Sequence, residues 1–161
     1  NLPHPNGMGR ELATNIEQQE NSSYARTFIE GSPSDPNILF GGPMTAETLS
    51  FWVTDQDARE KYIEAFKQSS FDAMLAYYKQ NYPRTTSESP PTPPAPQLNV
   101  PLLVFHGLQD TALHSDGLNN TWDWNDMDTT IVSAPTANHF VQQDAADLVT
   151  TTMKWWLKAR Q

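Results

Sequence analysis

The sequence has no cysteine. That absence excludes disulfides and thiolate metal sites and leaves the compartment open. No apolar run approaches the length of a membrane span, and no signal peptide is read, so a soluble chain is expected. Basic residues are scarce. The 10 Lys and Arg stand against 19 Asp and Glu, for a net charge of −9. This balance argues against nucleic acid and anionic membranes as partners, and the acid excess reads as solubilising surface. No His–x–x–x–His pair lies on a helical stretch, so no metal is expected. An initial methionine is also missing. The first residue is Asn1, which reads as a processed, truncated or partial chain.

What is present centres on VPLLVFHGLQDTAL, Val100 to Leu113. Leu102, Leu103, Val104 and Phe105 run together without alternation, as in a strand buried on both faces of a parallel sheet. Gly107 breaks the strand, and Asp110 falls just past its carboxyl end, where open α/β sheets keep their chemistry. A second unit follows in TTIVSAPTANHF, with a strand at Thr130 to Ala134 and His139 just beyond it. An acid and an imidazole leaving successive strand ends can become neighbours, the carboxylate holding the ring. Alone, Asp110 reads equally well as a turn acid and His139 as a hydrogen-bonded loop histidine. Their matching register favours the paired reading.

The 161 residues suffice for one domain with a real core. Helices are expected from about Arg10 to Glu20, over Ser22 to Ile29, after Thr45, after Asp55 or Asp57, from Phe71 to Asn81, near Ser115 to Trp122, and from Asp144 to Ala159. Thr48 stands where a Glu would complete a capping box, so no box is expected after Thr45. Leu148, Val149, Met153, Trp156 and Leu157 form the apolar stripe of the final helix. His4 and His106 read as structural, His114 as solvated, and Trp122, Trp124, Trp155 and Trp156 as packing residues. The segment with Pro90, Pro91, Pro93, Pro94 and Pro96 is extended and reads as a spacer, so the expected organisation is a helical region at 1–83, a linker at 84–99 and a strand-containing region at 100–161. Two parallel strands leave their faces and edges exposed, so the sheet needs further strands.

These features resemble the C-terminal part of an α/β-hydrolase. GLQD after one strand, NHF after the next and a closing amphipathic helix match where that family carries its catalytic acid and His, here Asp110 and His139. The similarity is nearest to the branch of epoxide hydrolases and haloalkane dehalogenases. NLPHP resembles the passage from core strand to cap, SSYARTF the first cap helix and LAYYKQNY a later one. The resemblance implies a helical cap followed by the last two parallel strands, an α/β fold whose sheet is incomplete without an N-terminal half. It also implies that Tyr24 and Tyr78, with Tyr77 as a rival to the second, donate hydrogen bonds from the cap to an epoxide oxygen.

One part of the family pattern is missing. The nucleophile elbow, Gly-x-Ser-x-Gly or its Asp equivalent, is framed by none of the seven glycines. The resemblance therefore implies a nucleophile supplied by an N-terminal half, as a separate or cleaved polypeptide. It implies opening of a small apolar epoxide through an alkyl-enzyme ester on Asp, with Asp110 and His139 activating water and no cofactor. Asn138 stands before the His where a small residue is more usual. Two alternatives stay open. One is a haloalkane dehalogenase, or a Ser esterase or lactonase, on the same scaffold; the other is a non-catalytic module that binds a ligand or protein.

Overall fold

The computed structural model describes residues 3–39, 41–82 and 95–161. Most of the expected linker, and Phe40, lie outside the described residues. The chain divides into two compact units, one within 1–22 and 85–161, the other within 23–84.

The first unit holds the sheet. Strands β1 (Leu102–Gly107) and β2 (Thr129–Ala134) pair in parallel, from Leu102 opposite Thr129 to Gly107 opposite Ala134. Among the described residues the sheet has these two strands. Ala134, Ala137 and Val141 form its buried centre, with Phe105, Ala145 and Val149 packed against them.

Five local expectations are corrected here. The single closing helix is divided into α7 (Val141–Asp144) and α8 (Ala146–Lys158), because Ala145 leaves helical geometry at φ −132° and ψ 45°. The expected stripe of α8 is only partly turned inward. Val149 and Trp156 are half-buried, whereas Leu148, Met153 and Leu157 are exposed, as is Trp155. Trp122 is exposed as well, so of the four tryptophans read as packing residues only Trp124 and Trp156 are half-buried. The helix expected near Ser115 to Trp122 is two 3-10 turns, Ser115–Leu118 and Thr121–Trp124. Between them Asn120 takes the left-handed conformation, φ 64°, which its short polar side chain tolerates. The helix expected over Arg10 to Glu20 is two, α1 (Pro5–Thr14) and α2 (Ile16–Asn21). Asn15 ends the first in extended geometry and caps the second, its side chain accepting from the Glu17 and Gln18 amides.

Residues 1–22 pack with the sheet-bearing part rather than with the helical region expected over 1–83. The reason lies in specific side chains. His4 caps α1 and stacks on Trp124 at 5.0 Å. The Arg10 guanidinium donates to the carbonyls of Asn119, at 3.1 Å, and Asp116, at 2.7 Å. Buried Gln18 reaches Ala112 and His114.

The second unit is helical. It contains α3 (Ser23–Glu30), α4 (Ala46–Leu49), α5 (Gln56–Lys67) and α6 (Phe71–Asn81). Ile38, Leu39, Met44 and Leu75 are its buried centre, flanked by Phe28, Leu49 and Phe71. Asp55 and Ser70 cap α5 and α6. The capping box at α4 is present after all. Thr48 Oγ1 accepts from the Thr45 amide at 2.8 Å and Thr45 Oγ1 from the Thr48 amide at 3.1 Å, so a hydroxyl does the work of the usual carboxylate.

Candidate active site

Asp110 and His139 are brought together by the in-register ends of β1 and β2. The glycine that closes β1 is what permits the approach. Past it, the Leu108 amide donates to Ala134 and the Gln109 amide to Ala137, at 3.0 Å each, stitching the two loops. His139 Nδ1 lies 3.0 Å from Oδ2 and 3.1 Å from Oδ1 of Asp110. The Asp110 side chain has no exposed surface, and His139 keeps about a third of its own. A carboxylate can only accept, so Nδ1 carries the hydrogen and the neutral ring places its lone pair on Nε2.

The carboxylate is held from its own loop too. Oδ1 accepts from the Ala112 amide at 2.8 Å and the Leu113 amide at 3.0 Å. Burial pushes the Asp110 carboxyl up, but the bonds from His139, Leu113 and Ala112 together hold it below the usual carboxylate range. It is ionised at neutral pH, as an acid that orients an imidazolium must be.

Asn138 has a definite task in this loop. Its Oδ1 accepts from the His139 amide at 2.7 Å and from the Thr111 amide at 3.4 Å, while its own amide donates to Asp144 at 2.8 Å. A small residue there would lack the bond to the Asp110 loop.

The other two expected site residues lie in the helical unit. Tyr24 of α3 and Tyr78 of α6 have ring centroids 6.0 Å apart at 77°, with Phe28 also edge-on to each. Burial raises the Tyr78 phenol above its ordinary pKa, against the opposing effect of its hydrogen bond with Tyr24. Tyr77 is 60% exposed.

His106 is buried at the end of β1, as its position suggested. His114, expected to be solvated, is half-buried. Its Nδ1 accepts from the Asp116 amide at 3.2 Å, and Nε2 lies 3.4 Å from Glu17. Glu11, His114 and Asp116 bring potential ligand atoms within 4.8 Å of one another. Arg10 already sits on Glu11 at 2.8 Å and Asn15 on its other oxygen at 2.9 Å, so the cluster carries its own cation. A cavity of about 290 Å³ opens elsewhere in the same unit, lined among others by Pro3, His4, Pro96, Leu102 and Val104; Asp110 and His139 are not in its lining.

No family model matches the sequence, and no curated protein matches it. Solved structures do. A point mutant of an epoxide hydrolase from Bacillus megaterium superposes with a TM-score of 0.76 at 23% identity, covering 98% of this chain and 58% of that one. Another mutant of the enzyme, complexed with its naphthyloxy-propanediol product, gives 0.74 at 21%, covering 97% and 57%. An α/β-hydrolase-superfamily epoxide hydrolase from hot-environment metagenomes gives 0.70 at 27%, covering 98% and 57%. The chain has the fold of part of an α/β-hydrolase. It spans less than three fifths of these neighbours' length.

The residues that sequence reasoning missed are Gln18, Gly107 in its role of close approach, and Asn138 as a loop tie. Gly107 had a signal, a glycine directly after an apolar strand. Gln18 had none, because a glutamine in IEQQEN reads as exposed helix surface.

Proposed function

We propose that the chain is the cap and C-terminal part of an epoxide-hydrolase-like enzyme. The observation that carries this reading is the Asp110 carboxylate, without exposed surface, set on Nδ1 of His139 where two parallel strands end. An N-terminal half, in the same or another polypeptide, supplies the nucleophile. In the first step an Asp carboxylate oxygen of that half attacks an epoxide carbon. The C–O bond breaks, and Tyr24 and Tyr78 donate hydrogen bonds to the oxygen as it becomes alkoxide and takes up a proton. In the second step Nε2 of His139 takes a proton from water, and the hydroxide attacks the ester carbonyl. Asp110 stabilises the resulting imidazolium. Collapse of the tetrahedral species releases a vicinal diol and restores the carboxylate, and the imidazolium returns its proton to solvent, balancing the one the alkoxide took up from solvent in the first step. No cofactor enters this scheme. The propanediol bound by a structural neighbour is a product of this kind and carries an aromatic group, in keeping with an apolar substrate.

The test is a single turnover of an aryl-substituted epoxide by the assembled protein in H₂¹⁸O. The scheme expects an unlabelled diol from the first turnover, since its new oxygen comes from the enzyme carboxylate. Label in the diol from the first turnover means direct attack by water and overturns the alkyl-enzyme step. No turnover, together with an Asp110→Asn variant that functions normally, favours a binding module.

A further inference from the structure

Gln18 is buried in the sheet-bearing unit, with 0% of its surface exposed, and the scheme above gives it no task. Each of its polar atoms is engaged. Oε1 accepts from the His114 amide at 2.7 Å, and the side-chain nitrogen donates to the Ala112 carbonyl and to Ser22 Oγ, both at 2.8 Å. The amide is thereby oriented unambiguously, oxygen toward an N–H and nitrogen toward a carbonyl. The Ala112 carbonyl and the Leu113 N–H belong to one planar peptide unit. One end of that plane is bonded to Gln18 and the other to Asp110 Oδ1, at 3.0 Å. The preceding plane, through the Ala112 N–H, reaches the same oxygen at 2.8 Å.

We propose that Gln18 is the positioning residue of the acid–histidine pair, fixing the Ala112–Leu113 peptide plane so that its N–H points at the Asp110 carboxylate. Gln18 touches neither Asp110 nor His139 in this arrangement. It acts through the loop backbone, from a helix some ninety residues earlier in the chain. In the loop DTALHS the buried apolar side chain is Leu113, so hydrogen bonds supply much of what holds its peptide planes. A glutamine can grip a carbonyl and an amide of that loop at once. The catalytic consequence rests on the epoxide-hydrolase reading; the positioning of the carboxylate does not.

The experiment is a ¹³C NMR titration of the Asp110 carboxyl in the purified protein with whatever polypeptide accompanies it, the resonance being assigned through Asp110→Asn. His139 acts on this carboxylate through its charge as well as its hydrogen bond. In Gln18→Met, which keeps the length and loses the amide, the Asp110 midpoint is expected to rise toward the ordinary carboxylate range as the two amide bonds loosen. Thr121→Val is the control. It removes a buried hydroxyl that donates to Leu118 at 2.6 Å, so it weakens the same unit without touching the loop, and the midpoint stays where it is. If Gln18→Met does not fold, Gln18→Asn is read in the same way, since it keeps an amide but draws it back by one methylene. An unmoved midpoint in a folded Gln18 variant overturns the proposal, and so does an equal rise in Thr121→Val. The titration reads the carboxylate directly, so it decides the role of Gln18 whether or not epoxide turnover is found.

Discussion

Gly107 and Asn138 lie so close that a Cβ on the glycine would stand 2.3 Å from the Asn138 carbonyl oxygen and 2.4 Å from that of Ala137. Both obstacles are backbone, so neither can swing aside. The contact brings the loop after β1 against the loop after β2, and it is the steric condition for the meeting of Asp110 and His139. Gly107→Ala is therefore expected to lower the unfolding free energy by about 1–3 kcal/mol, as overpacking does. It should also part the acid from the imidazole, which the ring resonances of His139 would report. A variant with wild-type denaturation and unchanged His139 signals would mean that the loops can separate without consequence.

The Asp110 carboxyl is held below its ordinary pKa: burial raises it, and the bonds from His139, Leu113 and Ala112 more than offset that. A carboxyl depressed in the folded state contributes stability that is present above the unfolded pKa, about 4, and is lost as pH falls through the folded one. The denaturation midpoint should thus decline as the solution is acidified below about pH 4, and Asp110→Asn should make that decline shallower. Asp35 is also depressed, through its bonds from Ser32, and remains in the variant, so part of the acid slope persists. An identical slope in Asp110→Asn would show that the pair adds nothing to acid sensitivity.

Much of this arrangement was legible in the sequence because it depends on local chemistry. A continuous apolar run, a glycine and then an acid can be read as strand, break and strand-end residue without knowing the fold. The same holds for His139 after β2. What could not be read depends on distant partners. Asn15 splits a helix by capping α2 with its own side chain, a choice that polar helical sequence hides. Residues 1–22 join the sheet-bearing unit through Arg10, His4 and Gln18, each of which meets a residue about a hundred positions away. The division of α7 from α8 at Ala145 has no marker, since alanine is the best helix former.

The capping box of α4 was hidden for a different reason: the pattern in common use asks for Glu or Gln at its fourth position. Thr48 substitutes because its hydroxyl both accepts from the Thr45 amide and donates to the Pro43 carbonyl, each at 2.8 Å. Thr48→Val keeps the shape and removes both bonds. A loss of about 1 kcal/mol is expected in chemical denaturation of the helical unit. Thr48→Glu restores the acceptor and should lose less than Thr48→Val. Equal losses would place the importance of Thr48 in its bond to Pro43 rather than in the box.

Burial and partners favour Tyr78 over Tyr77 for the donor role proposed above. Tyr77 is 60% exposed, whereas Tyr78 is edge-on to Tyr24 and Phe28 and shares a hydrogen bond with Tyr24. If the epoxide-hydrolase reading holds, Tyr78→Phe should lower kcat by roughly 10²-fold, the scale on which a lost oxyanion donor is felt. Tyr77→Phe should leave kcat near wild type. The alkaline side of the pH profile bears on the same residue. A phenol donates only while protonated, and burial raises Tyr78 above the ordinary value of about 10, so its contribution should persist past that pH before falling. A profile that falls well below pH 10 in wild type and is unchanged in Tyr78→Phe would assign the alkaline limb to another group. Equal losses in the two Phe variants would remove the distinction between the tyrosines and with it the donor role given to Tyr78.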